Sequence, residues 1–167
     1  YMIKKKINKN FLNIVEKKIG SDFRLFLHKQ GFVKNLKTIN NFRMKYNLHF
    51  LLIYPNITSS TSYVYSKVKK YSSKTKYDIN KINNKKKFIS FFSNKNNDLE
   101  SIVESKNPII RKILKSIEEQ KGCYFSRMTG SGSVCYGVFK TKKTAKIALN
   151  SIKLKFPKFW YSIAKTI

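Results

Sequence analysis

The 167-residue chain carries 36 Lys and Arg against 8 Asp and Glu, a formal net charge of +28. Its length suits one ordinary domain, and 41% hydrophobic residues with 14% aromatics exclude a chain that is disordered throughout, because such chains lack the material for a core. No stretch approaches the ~18 apolar residues of a membrane span, no signal-like apolar run follows the basic start, and Cys123 and Cys135 make neither a disulfide framework nor a metal site alone, so a soluble intracellular protein is expected.

In chain order, Ile7, Phe11, Leu12, Ile14 and Val15 recur at helical spacing and predict an amphipathic helix ending at Gly20. A helix with no loop before it, opening at Tyr1, suggests a piece of a longer protein. Phe23 to Leu27, the turn His28-Lys29-Gln30-Gly31, and Phe32-Val33 read as two strands joined in a hairpin. Leu48 to Ile53 reads as a buried strand stopped by Pro55, and Thr58 to Ser62 offers N-caps for a short helix through Tyr63, Val64 and Val68. Lys69 to Lys87 is polar and reads as a long surface loop or helical turns, followed by apolar Phe88 to Phe92. Asn97-Asp98-Leu99-Glu100 starts a helix through Ile102 and Val103. Asn107-Pro108 supplies an N-cap and first helical residue for a helix whose Ile109, Ile110, Ile113, Leu114 and Ile117 share one face. The pattern is clearest at the end: strands Cys123 to Met128 and Val134 to Phe139 flank a glycine turn, Thr141 caps a helix with Ala145, Ala148, Leu149 and Ile152 on one face, and Phe159 to Ile163 closes. The fold class is α+β, a mainly antiparallel sheet with helices packed on one side.

Charge of this sign invites a nucleic-acid partner. Yet arginine, whose planar fork suits bidentate recognition, appears only at Arg24, Arg43, Arg111 and Arg127, while lysine is spread from Lys4 to Lys165. Lys, Asn, Ile, Phe and Tyr together make more than half of the chain, the signature of an A+T-rich genome filling solvated positions. Among the scarce acids, Asp22 lies between a helix end and an apolar stretch, a setting suited to a general base, although a turn aspartate bonding backbone N–H groups is the commoner role. Thr129-Gly130-Ser131-Gly132-Ser133 is a small-residue turn of the kind that brings backbone N–H groups to phosphates, or a plain hairpin turn. His28 and His49 lack companions at metal-ligand spacing. Tyr63 and Tyr65 sit near a helix start within reach of a ligand, although core packing is the commoner use of aromatics.

The order of these blocks says more than any one of them. Gly20-Ser21-Asp22 before an apolar stretch, Leu52-Ile53-Tyr54-Pro55-Asn56 with Ser60-Thr61 and Val64-Tyr65, Asn97-Asp98-Leu99-Glu100, and Arg127-Met128-Thr129-Gly130-Ser131-Gly132 together resemble the C-terminal part of the 4-diphosphocytidyl-2-C-methyl-D-erythritol kinase family, within the GHMP kinase superfamily. The resemblance covers nearly the whole chain. It implies a GHMP-kinase C-terminal domain over residues 21–167, a ferredoxin-like antiparallel sheet with helices on one face, preceded in residues 1–20 by the last helix of an N-terminal kinase domain. It also implies transfer of the ATP γ-phosphoryl group, with Mg2+ accompanying ATP, to the 2-hydroxyl of 4-diphosphocytidyl-2-C-methyl-D-erythritol in non-mevalonate isoprenoid synthesis. Under this resemblance Asp22 is the catalytic base, Tyr65 lines the cytidine pocket with Thr61 as a nearby substrate contact, and Gly130, Ser131 and Gly132 support the phosphate region. No metal-ligating residue is assigned, the partners are the small-molecule substrate, ATP and the N-terminal kinase domain, and the location is the cytoplasm of a bacterium or a plastid.

Two departures stand out. Arg24 occupies a position where the family usually has proline, and these residues contain neither the P-x-x-x-G-L-G-S-S loop for ATP phosphates nor the lysine that partners the aspartate. The 167-residue polypeptide alone is therefore expected neither to bind ATP tightly nor to turn over substrate, a result that robust kinase activity would contradict. The alternatives are another GHMP small-molecule kinase, or a basic nucleic-acid-binding module with submicromolar, steeply salt-dependent oligonucleotide affinity.

Overall fold

Asn8 opens the first described helix: its side chain accepts the Asn10 N–H at 3.0 Å, satisfying one of the donors a helix start leaves unpaired. The computed structural model describes residues 8–20, 23, 25, 27, 28, 30–35, 38–73 and 81–166. They fall into two units, one ending at Lys45 and one spanning Tyr46–Thr166.

In the first unit, α1 (Lys9–Ile19) ends where the Gly20 N–H bonds Glu16 O at 2.8 Å. The described residues of the strand expected over Phe23 to Leu27 are not in a strand. Phe23, Leu25 and Leu27 lie in 3₁₀ turns, and the Phe23 and His28 N–H groups bond back to Gly20 O and Leu25 O at 3.2 and 3.1 Å, so local bonds take up donors that a ladder would need. The hairpin lies one segment later: β1 (Gly31–Asn35) pairs antiparallel with β2 (Thr38–Asn41), Phe32 opposite Asn40 and Val33 opposite Ile39. His28 Nδ1 sits 2.8 Å from Asn41 Oδ1 beside this pair.

The second unit runs β3 (His49–Tyr54), α2 (Thr61–Ser66), α3 (Lys85–Ser93), α4 (Glu100–Lys106), α5 (Ile109–Glu118), β4 (Cys123–Met128), β5 (Cys135–Phe139), α6 (Lys142–Lys155) and β6 (Trp160–Lys165). The sheet order is β4-β5-β3-β6 with every neighbouring pair antiparallel. Reduced to β3, α5, β4, β5, α6 and β6, this is the β-α-β-β-α-β ferredoxin-like arrangement. Alternation puts Leu51 and Ile53 of β3 on one sheet face, where they join Ile110, Ile113 and Ile117 of α5, Ala145, Ala148 and Ile152 of α6, and Met128 and Phe139 in one buried cluster. The Thr141–Thr144 capping box starts α6, as the sequence suggests.

Two boundaries shift. Asn107 closes α4 by donating its N–H to Val103 O at 2.8 Å, and Pro108 takes the cap position of α5, one residue later than the Asn-Pro pair suggests. Phe88 to Phe92 lies on α3, which Asn84 caps through the Lys87 N–H at 2.8 Å; Phe88 is buried against the rings of Tyr46 and Phe92, with centroids 4.9 and 4.6 Å away. The polar stretch from Lys69 thus ends in a helix, while residues 74–80 lie outside the described residues. No helix among the described residues is long and apolar enough to cross a membrane.

Candidate functional site

The turn between β4 and β5 is built by its glycines. Gly130 and Gly132 have φ of +46° and +89°, a region that favours residues without a Cβ. A Cβ at Gly132 would also stand 2.7 Å from Met128 Sδ, whereas one at Gly130 would meet nothing within 4 Å. The turn is closed by Thr129 N–H to Val134 O and Gly132 N–H to Thr129 O, both 2.8 Å, and its Gly132–Ser133 peptide is cis.

Two distant segments grip this turn. From the stretch leading into α2, the Ser59 hydroxyl donates to Ser131 O at 2.6 Å, Thr61 Oγ1 lies 2.9 Å from Ser131 Oγ, and the Ser133 hydroxyl donates to Ile57 O. From the stretch leading into α4, Asn97 Nδ2 donates to Met128 O at 3.0 Å and Gly130 O at 2.8 Å, while Asn97 Oδ1 accepts the Leu99 N–H at 3.0 Å. Glu100 Oε2 accepts the Met128 N–H at 2.7 Å. Half-burial pushes the Glu100 carboxyl above its usual range, opposed by that N–H and by Arg127. Arg127 itself donates to Ser93 O at 2.9 Å, to Ser126 O at 2.8 Å and to Lys95 O, tying β4 to the end of α3. Beside them, the Ser72 hydroxyl and backbone N–H bond Asp98 and hold its carboxyl below the usual range.

Of the residues singled out from sequence, Thr61 and Ser131 meet directly, with Gly130 and Gly132 on either side. Tyr65 is on α2 four residues after Thr61, on the same helix face and half exposed. Tyr63, on another face, is engaged by two ammonium groups, Lys106 Nζ 4.3 Å and Lys67 Nζ 5.5 Å from its ring centroid. Asp22 and Arg24 lie outside the described residues. Sequence reasoning missed the gripping roles of Ser59, Ser133, Asn97 and Glu100. The order of blocks held the signal, since Asn97-Asp98-Leu99-Glu100 and the Arg127 to Gly132 block are bonded to each other. Burial pushes the Cys123 and Cys135 thiols up to about 12, so neither is suited to act as a thiolate.

Chemically, the turn offers donors. Among the described residues, the N–H groups of Gly130 and Ser131 have no acceptor, and the open space at Gly130 lets an anion approach the backbone closely.

Residues 81–158 match the family described as GHMP kinases C terminal. The chain is 33% identical over 163 residues to the 4-diphosphocytidyl-2-C-methyl-D-erythritol kinase of Pelagibacter ubique, and 28% identical over 173 residues to that of the Wolbachia of Brugia malayi; each alignment takes in 97% of this chain and 57% of the relative. The chain thus spans little more than half the length of these relatives. A crystal structure of 4-(cytidine 5'-diphospho)-2C-methyl-D-erythritol kinase superposes with a TM-score of 0.67 over 97% of this chain and 58% of that one, at 14% identity, a likeness of fold.

Proposed function

Since the chain carries a GHMP kinase C-terminal domain and aligns along nearly its whole length with 4-diphosphocytidyl-2-C-methyl-D-erythritol kinases, we propose that it is the C-terminal part of an enzyme phosphorylating the 2-hydroxyl of that substrate from ATP. The observation that carries the reading is the junction of Thr61 with Ser131, 2.9 Å apart, which joins the helix assigned to the substrate with the turn assigned to the phosphates. Phosphoryl transfer depends mostly on positioning and on donors aimed at phosphate oxygens. The N–H groups of Gly130 and Ser131 fit that need, and the grip of Ser59, Thr61 and Asn97 keeps them from reorganising when charge develops. Asp22 would accept or orient the acceptor hydroxyl's proton. Mg2+ when bound would neutralise phosphate charge, and such ions rely on phosphate oxygens, waters and one or two carboxylates.

The direct test is phosphorylation of 4-diphosphocytidyl-2-C-methyl-D-erythritol by the full-length gene product, followed as ADP release and by phosphorus NMR of the product. A wild-type protein that leaves this acceptor untouched overturns the reading.

The half-exposed ring of Tyr65 is assigned to the cytosine. Tyr65→Ala is expected to raise KM for the acceptor roughly 5- to 150-fold, the equivalent of about 1–3 kcal/mol of base stacking, and Tyr65→Phe to restore it. KM for ATP should stay put. An unchanged acceptor KM in Tyr65→Ala would remove Tyr65 from the pocket.

A further inference from the structure

The side chain of Asn97 does more than accept the Leu99 N–H in the turn before α4. An asparagine amide has two N–H donors on one nitrogen, and here that nitrogen reaches two carbonyls of the same turn, Met128 O at 3.0 Å and Gly130 O at 2.8 Å, across more than thirty residues of sequence. In a trans peptide the C=O and the following N–H point in opposite directions. Holding Gly130 O toward Asn97 therefore turns the Ser131 N–H away from α4. On the next peptide, the Ser59 hydroxyl holds Ser131 O at 2.6 Å, and the Gly132 N–H opposite it is spent on Thr129 O at 2.8 Å. The Ser131 N–H is left as a donor with fixed direction and no acceptor among the described residues.

We propose that Asn97 is a positioning residue for phosphoryl transfer, aiming the Ser131 N–H at a phosphate oxygen by pinning the Gly130 carbonyl. The proposal rests on the kinase reading above and goes beyond it by naming the residue that sets the donor's direction. Glycine at position 130, with φ of +46°, makes the turn pliant, so an outside constraint is what selects one orientation of the peptide. Asn97 supplies it from the stretch before α4, and the half-buried Glu100–Met128 bond at 2.7 Å anchors the same stretch to β4 just ahead of the turn.

The test compares Asn97→Asp and Asn97→Ser with wild type in the full-length protein, using 4-diphosphocytidyl-2-C-methyl-D-erythritol and ATP. Both replacements keep an oxygen able to accept the Leu99 N–H, so the turn leading into α4 survives. Neither spans both carbonyls, and aspartate offers no donor at all. The expected result is a fall in kcat of roughly 10- to 100-fold, the size of effect that a misaimed group produces, with KM for the acceptor within about twofold and little change in melting temperature. Ser72→Ala, which removes a bond to the adjacent Asp98 without touching the turn, should leave kcat unchanged. If wild type is active and both Asn97 variants keep kcat per folded molecule within about twofold, the proposal is overturned and the kinase reading stands. If wild type does not phosphorylate the acceptor, both fall together.

Discussion

Gly137→Ala is expected to lower the melting temperature of the second unit by roughly 10–20 °C, the equivalent of about 3 kcal/mol. Gly137 lies in β5 opposite Leu51 of β3 and Ser126 of β4. A methyl there would stand 2.2 Å from Ile117 Cγ2 and 2.9 Å from Phe139 Cε2. Neither can step aside cheaply, because both side chains are fully buried and Ile117 belongs to the apolar face by which α5 packs on the sheet. The missing Cβ is thus what lets α5 lie so close, and the helix must be pushed off the sheet to admit one. Thermal unfolding followed by circular dichroism is the measurement. A shift under about 3 °C would mean that α5 does not rest on this strand as described.

Asp22→Asn in the full-length protein is expected to cost about 10²- to 10⁴-fold in kcat, the range for loss of a general base, with acceptor KM little changed. Asparagine keeps the size and one carbonyl acceptor but removes the charge with which the proposed base would orient and take the hydroxyl proton. Phosphoryl transfers of the proposed kind pass through a loose transition state in which much of the catalysis is electrostatic, so the loss should approach the lower end if Asp22 mainly orients the hydroxyl. Steady-state kinetics with both substrates saturating measures it, and a kcat within about threefold of wild type would remove Asp22 from the mechanism. Glu in place of Asp22 should also be poor, because the carboxylate would be displaced by a methylene in a geometry-dependent step.

Elements whose own residues state their periodicity were legible. The stripe Ile110, Ile113, Leu114, Ile117 gave α5, and the capping Thr141 with Ala145 and Ala148 gave α6, because both packing and capping act within a few residues. Phe23 to Leu27 misled: an apolar run of five fits a buried strand or helical turns equally, and here local bonds to Gly20 and Leu25 carbonyls decided for turns. The strand β2 was hidden by its polar composition, Thr38-Ile39-Asn40-Asn41, since its partner β1 rather than its own pattern makes it a strand. At the site, the Gly-Ser-Gly turn announced itself through residue type. What grips it did not, because Asn97 and Ser59 are ordinary polar residues until the fold carries them to the turn from far along the chain.

The place of β3 in the middle of the sheet bears on how this protein is made. Its two partners, β5 and β6, are in the last third of the sequence, so on a ribosome the apolar run His49 to Tyr54 emerges long before either edge can be paired. Until then it is an unprotected strand of the kind that recruits other chains. Lysines lie before it at Lys45 and after it at Lys67, Lys69 and Lys70, and repulsion among nascent chains so charged opposes their association while these strands wait. The positive charge of the chain thereby opposes pairing of this interior strand with other chains during the interval before its neighbours are synthesised.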